Sequence, residues 1–208
     1  VPKSYLSNEP AVMRAIRNNY DPYTQTQLRL KALEDNGHIP TKIELIVIGG
    51  TWSILPKKYK YWYILNCFKA ANDYKKKNSK ELDYNSFSLK QLKERLKYEQ
   101  KRNEKAKYKI IGLTLETRPD FIDFQELEEM RDLGCTRVEI GVQAIDDKIL
   151  EINKRGHKVK EITESTKRLR DYGFKITYHF MPGLPGSTAK KDRDMFKDLF
   201  NDSRFQPD

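Results

Sequence analysis

Residues 109–142 read KIIGLTLETRPDFIDFQELEEMRDLGCTRVEIGV, and this segment sets the fold class. Its apolar, β-branched start predicts a strand, the residues from Asp123 to Leu133 have helical spacing, and a second apolar run begins at Arg137. Gly134 stands between the predicted helix and the second strand, where a glycine cap commonly ends a helix. Strand, helix, glycine and strand in this order indicate a parallel βα unit.

The same order extends beyond this segment in both directions. Residues 146–170 are predicted to form two helices separated near Gly156, and residues 174–180 another strand. Residues 43–48 are apolar and β-branched, which predicts a buried strand at the N-terminal side. We therefore predict an α/β fold, a partial βα (TIM-like) barrel with parallel strands and outer helices.

Composition narrows the class of protein. The chain has 208 residues and a formal net charge of +10, and residues 57–109 carry 17 Lys or Arg against 6 Asp or Glu. This local excess of positive charge suggests a polyanionic partner. No apolar run approaches the length of a membrane-spanning helix. Two cysteines exclude a disulfide framework and favour a reducing compartment, so we expect a cytoplasmic protein without a membrane partner.

The basic segment is predicted to contain two helices. Residues 57–77 have helical spacing, and Ser88 with Gln91 forms the capping-box pattern at the start of the second helix. The second helix has only a narrow apolar stripe, so we expect it to pack lightly. It could face phosphate groups or form a solvated helical surface, and the sequence leaves both open. The candidate RNA-binding residues are Lys75, Lys76, Lys77, Lys101 and Arg102.

Polar and glycine residues follow several predicted strands, at the end where barrels carry their chemistry. Adjacent glycines let a ligand approach the backbone. A carboxylate and a guanidinium two residues apart on an extended chain point the same way and could hold a zwitterion. The same groups would also suit a tight turn, a rim salt bridge or a helix cap. The residues concerned are Gly49, Gly50, Thr51, Glu116, Arg118 and Gln143.

Two further features follow the last predicted strand. His179 alternates with Thr177 and is expected to face the inside of the barrel, as a hydrogen-bonded core residue rather than a base. Residues 181–186, MPGLPG, predict a rigid loop because prolines and glycines alternate with few other residues. No catalytic residue is assigned from the sequence.

Taken together, these motifs resemble the radical S-adenosylmethionine (SAM) barrel. The matching segments are IGGT at 48–51, ETRPD at 116–120, CTRVEIGVQ at 135–143, RGH at 155–157 and GLPG at 183–186. The second and third are similar to segments of the Elongator catalytic-subunit family. The resemblance covers nearly the whole chain and is interrupted by the Lys-rich stretch.

The resemblance implies an acyltransferase that modifies C5 of the wobble uridine in transfer RNA (tRNA). In that family SAM is cleaved reductively at a [4Fe–4S] cluster to a 5′-deoxyadenosyl radical, which takes hydrogen from the acetyl group of acetyl-CoA. The product carries a carboxymethyl group on the uridine. The implied partners are tRNA, acetyl-CoA and other Elongator subunits.

The resemblance also implies roles for individual residues. Gly49, Gly50 and Thr51 would hold the methionyl end of SAM. Glu116 and Gln143 match positions that contact SAM, and Arg155 would approach its carboxylate. Lys42 matches a position near acetyl-CoA, and a lysine also suits the CoA phosphates.

The domain expectation follows from the same resemblance. Residues 1–208 would form the radical SAM core, with a Lys-rich helical insertion at 75–107. We expect the cluster-binding N-terminal part and a C-terminal acetyltransferase domain to be absent, so that this chain holds no metal ligands and is inactive alone. Two departures stand out, since Lys154 replaces an asparagine of the family and His179 replaces an acid found in many related barrels.

Two other functions remain open at this stage. The chain could belong to another radical SAM enzyme of the methylthiotransferase or porphyrinogen-oxidase type. It could also be an RNA-binding scaffold without catalysis. Cluster cysteines upstream in the full gene would favour an enzyme, and their absence would favour the scaffold.

Overall fold

The computed structural model describes residues 5–208, which fall into two compact units. We call residues 5–49 with 54–113 the helical unit, and residues 50–53 with 114–208 the βα unit. The helical unit contains α1 (Pro10–Arg17), α2 (Pro22–Asp35), β1 (Lys42–Val47), α3 (Lys57–Asp73) and α4 (Leu89–Asn103). The strand β2 (Lys109–Thr117) runs from one unit into the other. The βα unit continues with α5 (Phe124–Leu133), β3 (Arg137–Gln143), α6 (Asp147–Ile152), α7 (Val159–Asp171), β4 (Lys175–Phe180) and α8 (Ala189–Asn201).

The strands form one sheet in the order β1-β2-β3-β4. Within the βα unit, β3 is parallel to both β2 and β4. Glu116 lies opposite Glu139 in this register, and Glu139 lies opposite Thr177. Because each strand is followed by helix before the next one begins, the predicted α/β class with parallel strands is confirmed.

The sheet of the βα unit has one apolar face and one polar face. Successive side chains alternate between the faces, so Leu115, Val138 and Ile176 share the apolar face, and each is at most 1% exposed. The same alternation gives the polar face its side chains, which include Thr114, Glu116, Arg137, Glu139, Thr177 and His179. The helices bury the apolar face, whereas the side chains of the polar face other than Thr114 remain partly exposed.

β1 differs from the prediction of a buried strand. Its side chains alternate between partly buried and exposed: Ile46 is 49% exposed, and Ile48, just past the end of the strand, is 48% exposed. β1 is an edge strand of the sheet, with a strand neighbour on one side. The apolar run predicted the strand correctly but not its burial, because side-chain type does not tell an edge strand from a central one.

Helix starts follow local signals that the sequence shows. The Asp21 carboxylate accepts hydrogen bonds from the backbone N–H groups of Tyr23 and Thr24. Ser88 and Gln91 cap α4 reciprocally, with the Gln91 side chain accepting from the Ser88 N–H at 2.8 Å. The capping box predicted at Ser88 and Gln91 is confirmed.

The expectation that the second basic helix packs lightly is wrong. α4 lies along α3 with Leu92 and Leu96 fully buried. A buried polar network supports this contact: Asn72 Nδ2 donates to Glu99 Oε2 at 2.6 Å, and Asn103 Nδ2 donates to Asn72 Oδ1 at 2.7 Å. The sequence shows how narrow the apolar stripe is, but not that asparagines extend the buried contact beyond it.

A pair of substitutions on α5 tests the buried face. Leu127 is fully buried, whereas its neighbour Glu128 is exposed. We expect Leu127→Ala to lower the free energy of unfolding by about 2–5 kcal/mol, because it leaves a cavity. Glu128→Ala should change it by less than about 0.5 kcal/mol. Urea unfolding curves measure both values, and equal losses would contradict the assigned orientation of α5.

Candidate functional site

The carboxyl ends of β2, β3 and β4 lie at one edge of the sheet, because the three strands are parallel. Gln143 ends β3, and Arg155 lies in the loop between α6 and α7. Both side chains lie over Gly141: a Cβ on this glycine would be 3.1 Å from Gln143 Nε2 and 3.7 Å from Arg155 Nη2. The structure thus brings Gln143 and Arg155 together at the predicted edge.

Gln143 has an unusual backbone conformation. Its φ angle is +69°, and the register between β3 and β4 shifts between Ile140 and Gln143. Its backbone oxygen accepts a hydrogen bond from the Met181 N–H at 2.9 Å. The side chain is buried, and Oε1 has no hydrogen-bond partner within the described part of the chain. Backbone strain is concentrated at ligand sites in proteins, and a buried unpaired oxygen is available to accept from a ligand.

Two more buried polar atoms near this edge lack partners among residues 5–208, namely Arg155 Nε and His157 Nδ1. His157 Nε2 lies 3.3 Å from the Val142 backbone oxygen. Burial lowers the pKa of both side chains, and for Arg155 the positive charge of Arg118 adds to this effect. Each unsatisfied buried group costs about 1–3 kcal/mol. A ligand with anionic and polar groups would relieve this cost.

The double-glycine turn has open space beside it. Gly50 has a φ angle of +94°, which a residue with a side chain rarely adopts. A Cβ on Gly49 or Gly50 would meet no atom within 4 Å. Ser53 Oγ hydrogen-bonds Thr117 Oγ1 at 2.7 Å, which fixes residues 50–53 beside the end of β2. The turn can therefore offer backbone groups to a ligand at this strand end.

Glu116 and Glu139 are bridged by an imidazole. His179 Nε2 lies 2.8 Å from Glu139 Oε2, and Nδ1 lies 3.5 Å from Glu116 Oε1. The interaction with Glu116, followed by that with Glu139, raises the pKa of His179 to about 9 against the opposing effect of burial. Glu139 is the nearer of the two carboxylates, and Glu116 is slightly more buried. His179 is therefore an imidazolium at neutral pH.

Arg118 does not pair with Glu116. Its Nε and Nη2 donate to the two carboxylate oxygens of Asp120 at 3.0 and 2.8 Å. A Cβ on Gly156 would lie 2.8 Å from Arg118 Nη2, so this glycine leaves room for the guanidinium. The two-residue spacing of Glu116 and Arg118 suggested a shared ligand, but β2 ends at Thr117, which lets Arg118 turn towards Asp120.

Lys42 is the exposed first residue of β1, whereas the double-glycine turn follows the end of that strand. At about 3.3 Å per residue, the strand separates Lys42 from Gly49 by roughly 20 Å. Lys42 therefore stands at the opposite strand end from the turn. The CoA phosphates that Lys42 is predicted to contact would therefore lie away from the turn.

The basic residues differ in how far they are engaged within the helical unit. Arg102 is held by Asp73 and Glu99, with Nη2 2.6 Å from Asp73 Oδ1. Lys75 pairs with Glu34 at 2.8 Å and remains 59% exposed. The side chains that stay exposed are those of Lys75, Lys76, Lys77 and Lys101. Asp73 and Glu99 offset the positive charge of Arg102, so Arg102 does not belong to the candidate RNA surface.

The two cysteines do not fit a role as cluster ligands. Cys67 and Cys135 are both buried, and burial raises the pKa of each thiol to about 12. They remain protonated thiols, whereas iron–sulfur clusters bind thiolates. Within residues 5–208 no group of three or more His, Cys, Asp or Glu side chains has a metal-binding arrangement.

The parallel βα layers define a barrel-type α/β domain, and three buried polar atoms at one strand edge lack partners within residues 5–208. The profile of the Radical SAM superfamily matches residues 13–199. The chain belongs to this superfamily, whose membership implies SAM and a [4Fe–4S] cluster.

Two relatives and one solved structure are similar to this chain over most of its length. The chain is 42% identical over all of its 208 residues to the tRNA uridine(34) acetyltransferase of Methanocaldococcus infernus, and 38% identical over 99% of its length to Elongator complex protein 3 of Bos taurus. It spans 36% and 35% of these relatives. The solved structure of M. infernus Elp3, shortened at its N-terminus, has a TM-score of 0.80 and 41% identity, covering 93% of this chain and 42% of that chain.

Sequence reasoning missed several contacts at the strand edge. In the sequence, His157 and Glu139 stand out only as members of the RGH and CTRVEIGVQ segments. The alternation of His179 with Thr177 correctly predicted a shared face. Because Glu139 lies opposite Thr177, the register could have revealed the contact with His179, but a single sequence does not fix the register.

The raised pKa of His179 predicts how stability changes with pH. The folded-state pKa of about 9 exceeds the ordinary value of about 6.5, so the stabilisation is present below pH 6.5 and lost as the pH rises through 9. Allowing for partial exposure, the stability difference between wild type and His179→Gln should shrink by about 1–2 kcal/mol from pH 6 to pH 10. Urea unfolding at both pH values measures it. His38→Gln, at an exposed histidine, is the control, and an unchanged difference for His179→Gln would refute the assignment.

Proposed function

We propose that the protein is the radical SAM part of an enzyme that uses SAM and acetyl-CoA to place a carboxymethyl group on C5 of the wobble uridine in tRNA. The observation that carries the proposal is a set of buried polar atoms at one strand edge that have no partner among the described residues 5–208: Gln143 Oε1, Arg155 Nε and His157 Nδ1. Relatives named tRNA uridine(34) acetyltransferase align with all 208 residues of the chain, which supports the proposed substrate and reaction.

The residues present suit SAM, which carries an amino group, a carboxylate, ribose hydroxyls and an adenine edge. Arg155 would bind the carboxylate, and Gly49, Gly50 and Thr51 would hold the methionyl end with backbone groups. The Gln143 amide and the Glu116 carboxylate would hydrogen-bond the remaining polar edge. When bound, SAM and the cluster supply radical chemistry. The cluster ligands must come from residues other than Cys67 and Cys135.

We also propose a second substrate, a domain organisation and a cellular location for the protein. Acetyl-CoA is the second substrate, and Lys42 would contact its phosphates as a point charge. The chain would act as one radical SAM core with residues 75–107 as an inserted basic segment. Two buried free thiols are in keeping with the reducing cytoplasm, where other Elongator subunits are candidate partners.

The exposed lysines of the basic segment would form the tRNA surface. Lys76 and Lys77 follow the end of α3, and Lys101 lies on α4, which Leu92 and Leu96 anchor against α3. The helix α4 holds Lys101 in place before tRNA binds, whereas Lys76 and Lys77 lie in the turn after α3. Lys75 extends the surface, although Glu34 offsets part of its charge.

SAM binding tests the assigned edge directly. In the full-length protein with its cluster intact, we expect Arg155→Gln to weaken SAM binding by about 10–100-fold, because a charge-assisted hydrogen bond to the carboxylate is lost. Arg193→Gln, at an exposed position on α8, should leave it unchanged. Isothermal titration calorimetry measures both.

Turnover tests the reaction. The wild-type protein with reductant, SAM, acetyl-CoA and tRNA should release 5′-deoxyadenosine and form the modified uridine under anaerobic conditions. Absence of 5′-deoxyadenosine with an intact cluster would reject the enzyme and favour an RNA-binding scaffold.

Salt dependence tests the tRNA surface. The triple variant Lys76→Gln, Lys77→Gln and Lys101→Gln should reduce the slope of log K against log salt concentration by roughly 2–3, since each lost phosphate contact removes nearly one counterion. The matched control replaces three exposed lysines elsewhere, Lys160, Lys167 and Lys190, and carries the same change in net charge. Equal slopes for the two variants would show that the basic segment does not contact tRNA.

A further inference from the structure

The segment that joins β4 to α8 is anchored by a single carboxylate. We call residues 181–187 the proline loop. Asp192, in the first turn of α8, accepts a hydrogen bond from the Gly183 N–H through Oδ2 at 2.8 Å. Its other oxygen, Oδ1, accepts from the Ser187 hydroxyl. Asp192 therefore holds the proline loop at two points.

The proline loop is also attached to the end of α6. Asn153, just past that end, donates from Nδ2 to the Pro185 backbone oxygen at 2.9 Å. Gly186 lies against the same helix, since a Cβ on it would be 2.7 Å from Ile152 Cδ1. Pro182 and Pro185 each fix their own φ angle, which removes further backbone freedom. The loop is thus a rigid segment held between α6 and α8.

This rigid segment supports the unusual backbone of Gln143. Met181, the first residue of the proline loop, donates its N–H to the Gln143 backbone oxygen at 2.9 Å. The φ angle of +69° at Gln143 persists in a residue with a side chain only where the surroundings enforce it. A return to the ordinary extended conformation would redirect the side chain away from Gly141, where it now lies beside Arg155. The hydrogen bond from Met181 opposes that return.

We propose that Asp192 is a positioning residue for SAM: it fixes the proline loop, and the loop holds the Gln143 backbone in the conformation that directs its amide towards SAM. This inference rests on the proposed function, because it takes Gln143 as a SAM contact. Asp192 acts through the loop and does not touch the cofactor. Without this anchor, Gln143 is in the binding conformation in a smaller fraction of molecules, and the apparent affinity for SAM falls by that fraction.

Two substitutions at position 192 separate anchoring from charge. Asp192→Ala removes both hydrogen bonds. Asp192→Asn removes the same negative charge, but its amide oxygen can accept from the Gly183 N–H while its NH₂ group donates to the Ser187 hydroxyl oxygen. Loss of a favourable charge near the sulfonium of SAM, or at the start of α8, would affect both variants alike. Loss of the anchor affects Asp192→Ala alone.

The experiment uses the full-length protein with its cluster intact, and calorimetry with SAM gives the dissociation constant. We expect Asp192→Ala to bind SAM about tenfold more weakly than the wild type, and Asp192→Asn to stay within about twofold. Asp194→Ala, at an exposed position on the same helix, is the matched control and should bind as the wild type does. A merely structural role would lower the urea midpoint of Asp192→Ala but leave SAM binding by the folded protein unchanged.

Hydrogen exchange tests the link between the proline loop and Gln143. The acceptor of the Met181 amide is the Gln143 backbone oxygen, which is present in every variant. Exchange of this amide therefore reports how firmly the loop is held. The difference between peptides that end at Phe180 and at Met181 isolates it by mass spectrometry. We expect faster exchange in Asp192→Ala than in the wild type or in Asp192→Asn.

The inference is overturned when Asp192→Ala binds SAM as the wild type does, or when Asp192→Ala and Asp192→Asn lose the same affinity. Wild-type protein that does not bind SAM would reject the proposed function and this inference with it. Circular dichroism identifies an Asp192→Ala protein that fails to fold, and Asn153→Ala, which releases the Pro185 oxygen on the other side of the loop, then decides the matter. A SAM affinity about threefold lower in Asn153→Ala supports the inference, and an unchanged affinity overturns it.

Discussion

Parallel pairing of β2, β3 and β4 is the constraint on which the candidate site depends. Parallel strands place all their carboxyl ends at one edge, and their shared register places alternate side chains on one face. Leu115, Val138 and Ile176 thereby become a buried apolar layer, while Glu116 and Glu139 are left together on the other face. One pairing pattern thus produces both the core and the charged cluster.

The sequence predicts the elements well because their signals are local. The capping box at Ser88 and the division of residues 146–170 near Gly156 each involve only a few neighbouring residues, and each is found in the structure. The apolar, β-branched run also predicts a strand near residue 43. Its exposure depends on how many strands flank it, and this information lies elsewhere in the chain.

The site is less predictable because it depends on distant residues. Arg118 and Arg102 looked like available cations in the sequence, yet Asp120 engages the first, and Asp73 and Glu99 engage the second. Asp73 is 29 positions from Arg102, a separation that no local pattern reports. The resemblance to known motifs indicated Glu116, Gln143 and Arg155, but only the structure shows that the Gln143 and Arg155 side chains lie over the same glycine.

Two buried polar regions of the chain show how a packing role differs from a binding role. Between α3 and α4, Asn72 and Asn103 hydrogen-bond each other and also Glu99 and the Tyr108 backbone, so the network is satisfied internally. At the carboxyl edge of the sheet, three buried polar atoms close in sequence and space remain unpaired within residues 5–208.

Arg14 Nε is another such atom, but it belongs to the helical unit. The buried asparagines between α3 and α4 are hydrogen-bonded. Each polar atom at the strand edge that gained a hydrogen-bond partner would likewise add about 1–3 kcal/mol to the stability of the fold. Leaving them unpaired at the same edge where Gln143 has a strained backbone is consistent with groups reserved for a ligand. The contrast between these two regions therefore favours a bound cofactor at the strand edge, independently of the resemblance to other proteins.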